Sequence, residues 1–343
     1  MQFGYSEVCL AHDPGSRHPE TPDRLRAIRE RLKRKHGVEY VEADPCDVEA
    51  ITAVHDREYI ESLEEFCADG GGEWDPDTTA VEATWDAVRR SAGLACWAVE
   101  SALEGADGRK TPFSLGRPPG HHAVGDDAMG FCFVNNAAVA AQYALDHDNY
   151  DVDRVAIVDW DVHHGNGGQD IFYDRDDVFF VSVHEQGLYP GTGDVDETGE
   201  GDGDGMTMNL PMPAGTDDLE YLAAIGGPVT AALEGYDPDV VIVSAGFDAH
   251  RHDPISRIRL STEAYALMTD RLRALANDTD AELAFVLEGG YGLDVLADSV
   301  ALVHETFDGR EPIEPGGELS DQAESALEDV LEAHGLDLDL DCF

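Results

Sequence analysis

Asp161 and His163 stand two positions apart at the end of an apolar run, and both are residue types that hold divalent metal ions. In an extended segment, side chains two apart point the same way. Asp248, in the later run Ser244-Ala245-Gly246-Phe247-Asp248-Ala249-His250, offers a second carboxylate. Two oxygen ligands and one nitrogen ligand leave a position open for water, which is the catalytic zinc arrangement, and the metal acidifies that water. Singly, each acid also reads as a helix N-cap or a solvated loop residue. Jointly, beside paired histidines, metal binding is the better account.

Hydrolysis at such a centre needs a base for the water and an acid for the leaving group, and histidine titrates in the useful range. Pro118-Pro119-Gly120-His121-His122 supplies two histidines behind a rigid turn. A pair of this kind is also met as a surface accident, but this one follows an apolar segment, 112–115, that suits a strand. Asp159 and Asn166 are the polar residues best placed to orient the two rings. Tyr291 follows Gly289-Gly290, a turn that lets backbone and phenol approach a ligand. Its hydroxyl suits stabilisation of an oxyanion, although a tyrosine capping the core has the same local pattern. Gly130-Phe131 and Tyr189 lie on loops and suit an apolar tube around an alkyl chain, with aromatic core packing as the alternative.

These residues follow strand-like runs. Asp159, Asp161 and His163 come after 154–159, Ser182 and His184 close 178–183, Asp248 follows 240–244, and Glu288 to Tyr291 follow 283–287. Each run is apolar almost throughout, as a strand buried on both faces should be. Helical patterns alternate with them at 22–36, 79–103, 135–146, 219–233, 262–276 and 320–333. That alternation predicts βαβ units around a mostly parallel sheet, and ligands bind at the carboxyl ends of such strands. No internal repeat appears. The Gly/Asp-rich stretch 198–205 lacks the terminal glutamate of a calcium-binding hand and reads as a surface loop.

With 72 acidic against 22 basic residues the formal net charge is -50, spread along the whole chain, and lysine is confined to Lys33, Lys35 and Lys110. This field repels phosphates and anionic lipids, so direct nucleic-acid and membrane binding are not expected. The pattern resembles proteins of salt-loving microbes, and a halophilic archaeal source is expected. Six scattered cysteines without a Cys-x-x-Cys pair suggest reduced thiols, and no apolar stretch is long enough to span a membrane. A cytoplasmic protein is expected. Residues 308–343 form an acidic helix and tail outside a catalytic domain spanning 1–307.

Taken in order, the motifs resemble the histone deacetylase family of the arginase/deacetylase superfamily. They comprise His18-Pro19-Glu20-Thr21-Pro22-Asp23-Arg24, 117–123, 130–136, 158–167, Ser182 to His184, 189–193, 244–250 and 287–291, and cover roughly residues 12 to 305. The forms His-His-Gly-Asn-Gly and Ser-Ala-Gly-Phe-Asp-Ala-His are most similar to class II and to the bacterial or archaeal branch, with its acetylpolyamine amidohydrolases and acetoin-utilisation-type proteins. The resemblance implies a single three-layer α/β/α domain around a mainly parallel sheet of about eight strands. It implies zinc, or iron, on Asp161, His163 and Asp248, and an acid/base pair in which His122 shuttles the proton and His121 acts electrostatically, backed by Asp159 and Asn166. Tyr291 would polarise the acetyl carbonyl, and Gly130, Phe131, Tyr189, Gly289 and Gly290 would line the substrate tunnel. Potassium would sit on Asp159, Ser182 and the main chain of Asp161, His163 and Val183, and Arg24 would line an exit channel for acetate. Two departures stand out: Gly168 replaces a common threonine, and Tyr189 a common phenylalanine.

The expected activity is therefore hydrolysis of N-acetyl amides, with acetyl-lysine in proteins and acetylated polyamines both suitable substrates. An arginase-like enzyme with two manganese ions would need a further carboxylate near Asp248. A non-catalytic acyl-ligand binder would not require His121, His122 and Tyr291 together. Oligomeric state is left open.

Overall fold

The computed structural model describes residues 1–147 and 149–340. Asp341 and Cys342 of the tail lie outside the described residues. In chain order the strands are β1 (Gln2–Gly4), β2 (Glu39–Val41), β3 (Gly71–Glu73), β4 (Thr79–Val81), β5 (Pro112–Ser114), β6 (Val155–Asp159), β7 (Val178–Glu185), β8 (Thr207–Met212), β9 (Val240–Ala245) and β10 (Glu282–Leu287). Eight of them form one sheet in the order β2-β1-β5-β10-β9-β6-β7-β8, with every neighbouring pair parallel. β3 and β4 form a separate antiparallel hairpin.

The four most apolar runs occupy the centre of the sheet, where both faces must be covered. On one face Val155, Ile157, Val240 and Ile242 pack with alanines of the helices Thr84–Leu103 and Asn136–Asp146. On the other, Ala156, Val158, Val241 and Val243 share a core with the helices Asp23–Leu32, Thr262–Asp278 and Leu293–Phe307. The expected three-layer α/β/α arrangement follows from this alternation. The acidic helix Asp321–His334 starts on Ser320, whose Oγ accepts from the Ala323 N–H at 3.2 Å. It packs against β8 and buries Ala323, Leu327, Val330 and Leu331 in the same core as the sheet.

A register row crosses the sheet near the strand carboxyl ends through Ser114, Val286, Ser244, Asp159, Ser182 and Asn209. Five of these six are polar in an otherwise apolar sheet, so the row marks where packing gives way to chemistry.

Two helical expectations change. Thr79–Val81 pairs with Gly71–Glu73 as the hairpin, and the helix begins only at Thr84. The pattern over 219–233 breaks into Asp218–Ala224, a wide turn at Ile225–Val229, and Thr230–Tyr236. Pro228 lacks the N–H that a continuous helix needs, and Thr230 Oγ1 donates to the Ile225 carbonyl at 2.7 Å. Among the described residues no helix is long and apolar enough to cross a membrane, and Cys9, Cys46, Cys67, Cys96 and Cys132 are free and buried.

Candidate functional site

β6 ends at Asp159, and the chain turning off it carries Asp161 and His163 over the sheet edge to meet Asp248, beyond β9. Ligand atoms of Asp161, His163 and Asp248 all lie within 4.8 Å of one another. His163 Nδ1 is 3.0 Å from Asp161 Oδ1 and 3.3 Å from Asp248 Oδ2. Asp248 Oδ1 accepts from the Val162 N–H at 3.0 Å, whereas Oδ2 is buried without a hydrogen-bond partner. Burial raises Asp248, and the Asp161 charge raises it further. Burial would raise Asp161 as well, but His121 and His163 hold it well below the carboxylate range. His163 is pulled up to about 10 by the two carboxylates against the effect of burial.

The floor of this triad is glycine. A Cβ at Gly246 would lie 2.1 Å from Asp161 Oδ2, and one at Gly289 would lie 2.3 Å from Asp248 Oδ2 and 2.5 Å from Asp161 Oδ2. The Gly289 N–H donates to Asp161 Oδ2 at 2.8 Å. A buried Asp248 oxygen that takes no hydrogen bond and faces His163 Nδ1 at 3.3 Å, a bare floor and a two-oxygen, one-nitrogen donor set fit a divalent ion with open coordination. Among the described residues this is the cluster of metal-ligating groups, and 198–205 contributes none.

The adjacent histidines take different partners. His121 Nδ1 donates to Asp159 Oδ2 at 2.9 Å, and its Nε2 is 3.8 Å from Asp161 Oδ1. Burial would lower this ring, yet Asp161 and Asp159 raise it to about 10. Asn166 Nδ2 donates to the His122 carbonyl at 3.1 Å, which turns Asn166 Oδ1 toward His122 Nδ1 at 2.7 Å. Nδ1 of His122 is then the donor, and Nε2 carries a free lone pair. Burial, His121 and His163 push His122 well below its ordinary range, so it is neutral. Asp159 is itself raised to about 6, by burial first, with His121 opposing.

Gly130 is backed against this pair. Its φ is +55°, and a Cβ there would fall 2.4 Å from His122 Cδ2. The Phe131 ring meets Tyr291 edge-on at 5.7 Å, and Tyr189 meets His122 edge-on at 5.1 Å, so the two aromatics stand against different members of the site. Among the described residues no protein group hydrogen-bonds the Tyr291 hydroxyl, and burial pushes that phenol up. Gly290 has φ +117° and leads directly into Tyr291. Gly168 also has a local cause, since a Cβ there would press 2.3 Å from Phe180 Cε2.

Ser182 Oγ is 3.0 Å from His184 Nδ1 and accepts from the Gly165 N–H at 3.3 Å, beside Asp159 in register. The Val183 carbonyl accepts from Tyr221 at 3.3 Å. Arg24 is fully buried behind the site, where Nε donates to the Gly290 carbonyl at 2.7 Å and the other nitrogens to Glu20 and the Glu288 carbonyl. Its guanidinium lies 5.1 Å from the Tyr291 ring.

Several residues around the site carried no role in the sequence pattern. Glu288 accepts from the N–H groups of Gly120 and His121, at 2.7 and 3.2 Å. Asp253 Oδ2 accepts from Tyr291 and Gly292, at 2.7 and 2.9 Å. Burial raises each acid to about 7, against His121 for Glu288 and with Asp248 adding for Asp253. Glu20 takes both arms of Arg117, at 2.6 and 2.5 Å. The available signal was position: Glu288 directly follows a buried strand, and Asp253 lies five residues past Asp248.

The model of the histone deacetylase domain matches residues 18–307. A probable deacetylase of Methanothermobacter thermautotrophicus is 41% identical over 297 residues, covering 86% of this chain and 87% of that protein. The histone deacetylase-like amidohydrolase of Pseudomonas aeruginosa is 35% identical over 312 residues, covering 84% and 81%. The crystal structure of the HDA15 HD domain superposes with a TM-score of 0.89 at 34% identity, covering 97% of this chain and 96% of that one. The chain belongs to the histone deacetylase family.

Proposed function

We propose that this protein hydrolyses N-acetyl amides, releasing acetate from acetylated protein lysines or small acetylated amines, with zinc held by Asp161, His163 and Asp248. One arrangement carries the reading: a neutral His122 with its Nε2 free stands beside a metal-ligating triad in which Asp248 Oδ2 takes no hydrogen bond. The zinc ion supplies Lewis acidity, making water more acidic and the acetyl carbonyl more electrophilic. His122 Nε2 takes the proton of the attacking water, because Asn166 fixes the other nitrogen as donor. His121, whose Nδ1 donates to Asp159, would act electrostatically on the developing oxyanion. Tyr291 donates its free hydroxyl to the same oxygen. The amine departs with the proton that His122 returns.

Phe131 and Tyr189 would flank the alkyl chain between the site and solvent. Asp159 and Ser182, neighbours in register, would hold potassium together with main-chain groups of Asp161, His163 and Val183. The acidic surface suits a cationic amine and a high-salt cytoplasm alike.

The test is a deacetylase assay of zinc-loaded protein in molar KCl, comparing acetyl-lysine peptides with acetylated polyamines. His122→Ala is expected to lose about 10²–10⁴-fold in kcat, and Tyr291→Phe about 10²-fold. Undiminished turnover in His122→Ala would sink the mechanism, and two manganese ions per chain would replace it with the dinuclear reading.

A further inference from the structure

Glu288 touches no reacting group in the reading above, yet its backbone and side chain are fixed on three sides. It directly follows β10 and has no exposed surface. Its N–H donates to the Ala245 carbonyl at 3.0 Å, and its carbonyl accepts from Arg24. Its Oε2 reaches across to the loop before the histidines and accepts from two successive N–H groups, Gly120 and His121. Ser244 Oγ stands 3.4 Å from Oε1. The next residue, Gly289, donates to the ligand Asp161, and three residues on is Tyr291.

A buried carboxylate is costly unless it is paired, and pairing with an arginine is the usual remedy. Arg24 is within reach, but it binds the Glu288 carbonyl and gives its side-chain bond to Glu20. The Glu288 carboxylate instead accepts from two main-chain amides of one specific loop and, at 3.4 Å, from Ser244 Oγ. That loop has little freedom of its own. A Cβ at Gly120 would lie 2.4 Å from the Asn136 nitrogen, and the His121 carbonyl accepts from the Gly167 N–H at 3.0 Å.

Resting on the assignment of His122 as base and Tyr291 as phenol donor, we infer that Glu288 is a positioning residue that ties the His121-His122 loop to the Gly289–Tyr291 segment. Base and phenol then keep a fixed separation across the substrate carbonyl. What matters is the reach of the side chain, because the two amides need an acceptor at that spot. A displacement of about 1 Å in such a pair is enough to cost on the order of 10²-fold in rate.

Two single substitutions separate reach from charge. Glu288→Gln keeps the length and one carbonyl acceptor for both amides but removes the charge, whereas Glu288→Asp keeps the charge and withdraws the acceptor by one methylene. Zinc-loaded wild type and both variants are compared for kcat and KM on an acetyl-lysine peptide, for zinc affinity, and for the Kd of acetohydroxamate, a chelating probe that needs no turnover. The Gln variant is expected to hold kcat within about 3-fold, and the Asp variant to lose about 30-fold in kcat with KM and zinc affinity within about 3-fold. Hydroxamate affinity should fall in the same order. Asp equal to or better than Gln, wild-type kcat in both, or a loss that tracks zinc affinity would overturn the inference. If wild type cleaves no acetyl amide while hydroxamate affinity still ranks Gln above Asp, the functional reading fails and the positioning role stands.

Discussion

Glu20 and Asp161 are both carboxylates without exposed surface, but their surroundings are opposite. Glu20 has Arg117 on both oxygens, Arg24 at 3.1 Å and His12 at 3.6 Å. Burial would raise it, and Arg117 and Arg24 outweigh burial to bring it down to about 2. Asp161 has only histidines as cationic neighbours, with Asp248 and Asp159 close by. The first cluster sets two arginines against one carboxylate, so the Glu20 charge is fully compensated and can serve as structure under any cofactor condition. The second carries three carboxylates, and Asp248 Oδ2 there takes no hydrogen bond, only the 3.3 Å approach of His163 Nδ1. An excess of buried negative charge is costly and survives where a cation completes it.

Three measurements can break that contrast. The largest effect is expected for Asp248→Ala, which should lower kcat/KM by at least about 10³-fold and abolish the thermal stabilisation expected of wild type on adding zinc. Retained zinc stabilisation would disconnect the unbalanced cluster from metal. Next comes Arg117→Met, which strands the Glu20 charge and should destabilise by about 3–5 kcal/mol in urea melts, with zinc stabilisation preserved in whatever fraction folds. A variant within about 1 kcal/mol of wild type would mean that Glu20 is served without Arg117.

The smallest effect is a pH dependence. The folded-state pKa of Glu20 is depressed, from 4.5 to about 2. Its contribution is therefore complete above about pH 4.5 and is lost as pH falls toward 2. The stability gap between wild type and Arg117→Met should narrow over that window by up to about 3 kcal/mol. A gap unchanged between pH 5 and 2.5 would show that Glu20 protonation is not linked to folding.

The central strands and their cargo were legible because burial on both faces leaves an unbroken β-branched run, and because Asp159, Asp161, His163 and Asp248 follow such runs directly. The run 158–167 also offered Asp159 and Asn166 as the polar residues best placed to orient the histidines, which they meet across 38 and 44 positions. What escaped was set by contacts between distant segments. Thr79–Val81 resembles the first turn of a helix until Gly71–Glu73 pairs with it. The interruption at Pro228 was legible in principle, yet the apolar period across 219–233 outweighed it. Glu20 meets Arg117 across 97 positions, and Glu288 meets Gly120 across 168, so no local pattern could connect them.

The bare floor under Asp161 and Asp248 also limits what this pocket can become. A second metal would need another carboxylate alongside the first two, and position 246, two residues before Asp248, is one place on that loop that faces them. A Cβ there already falls 2.1 Å from Asp161 Oδ2, and position 289 is closed in the same way. A side chain at either position would have to push Asp161 or Asp248 aside, so neither can supply a further ligand while the present two keep their places.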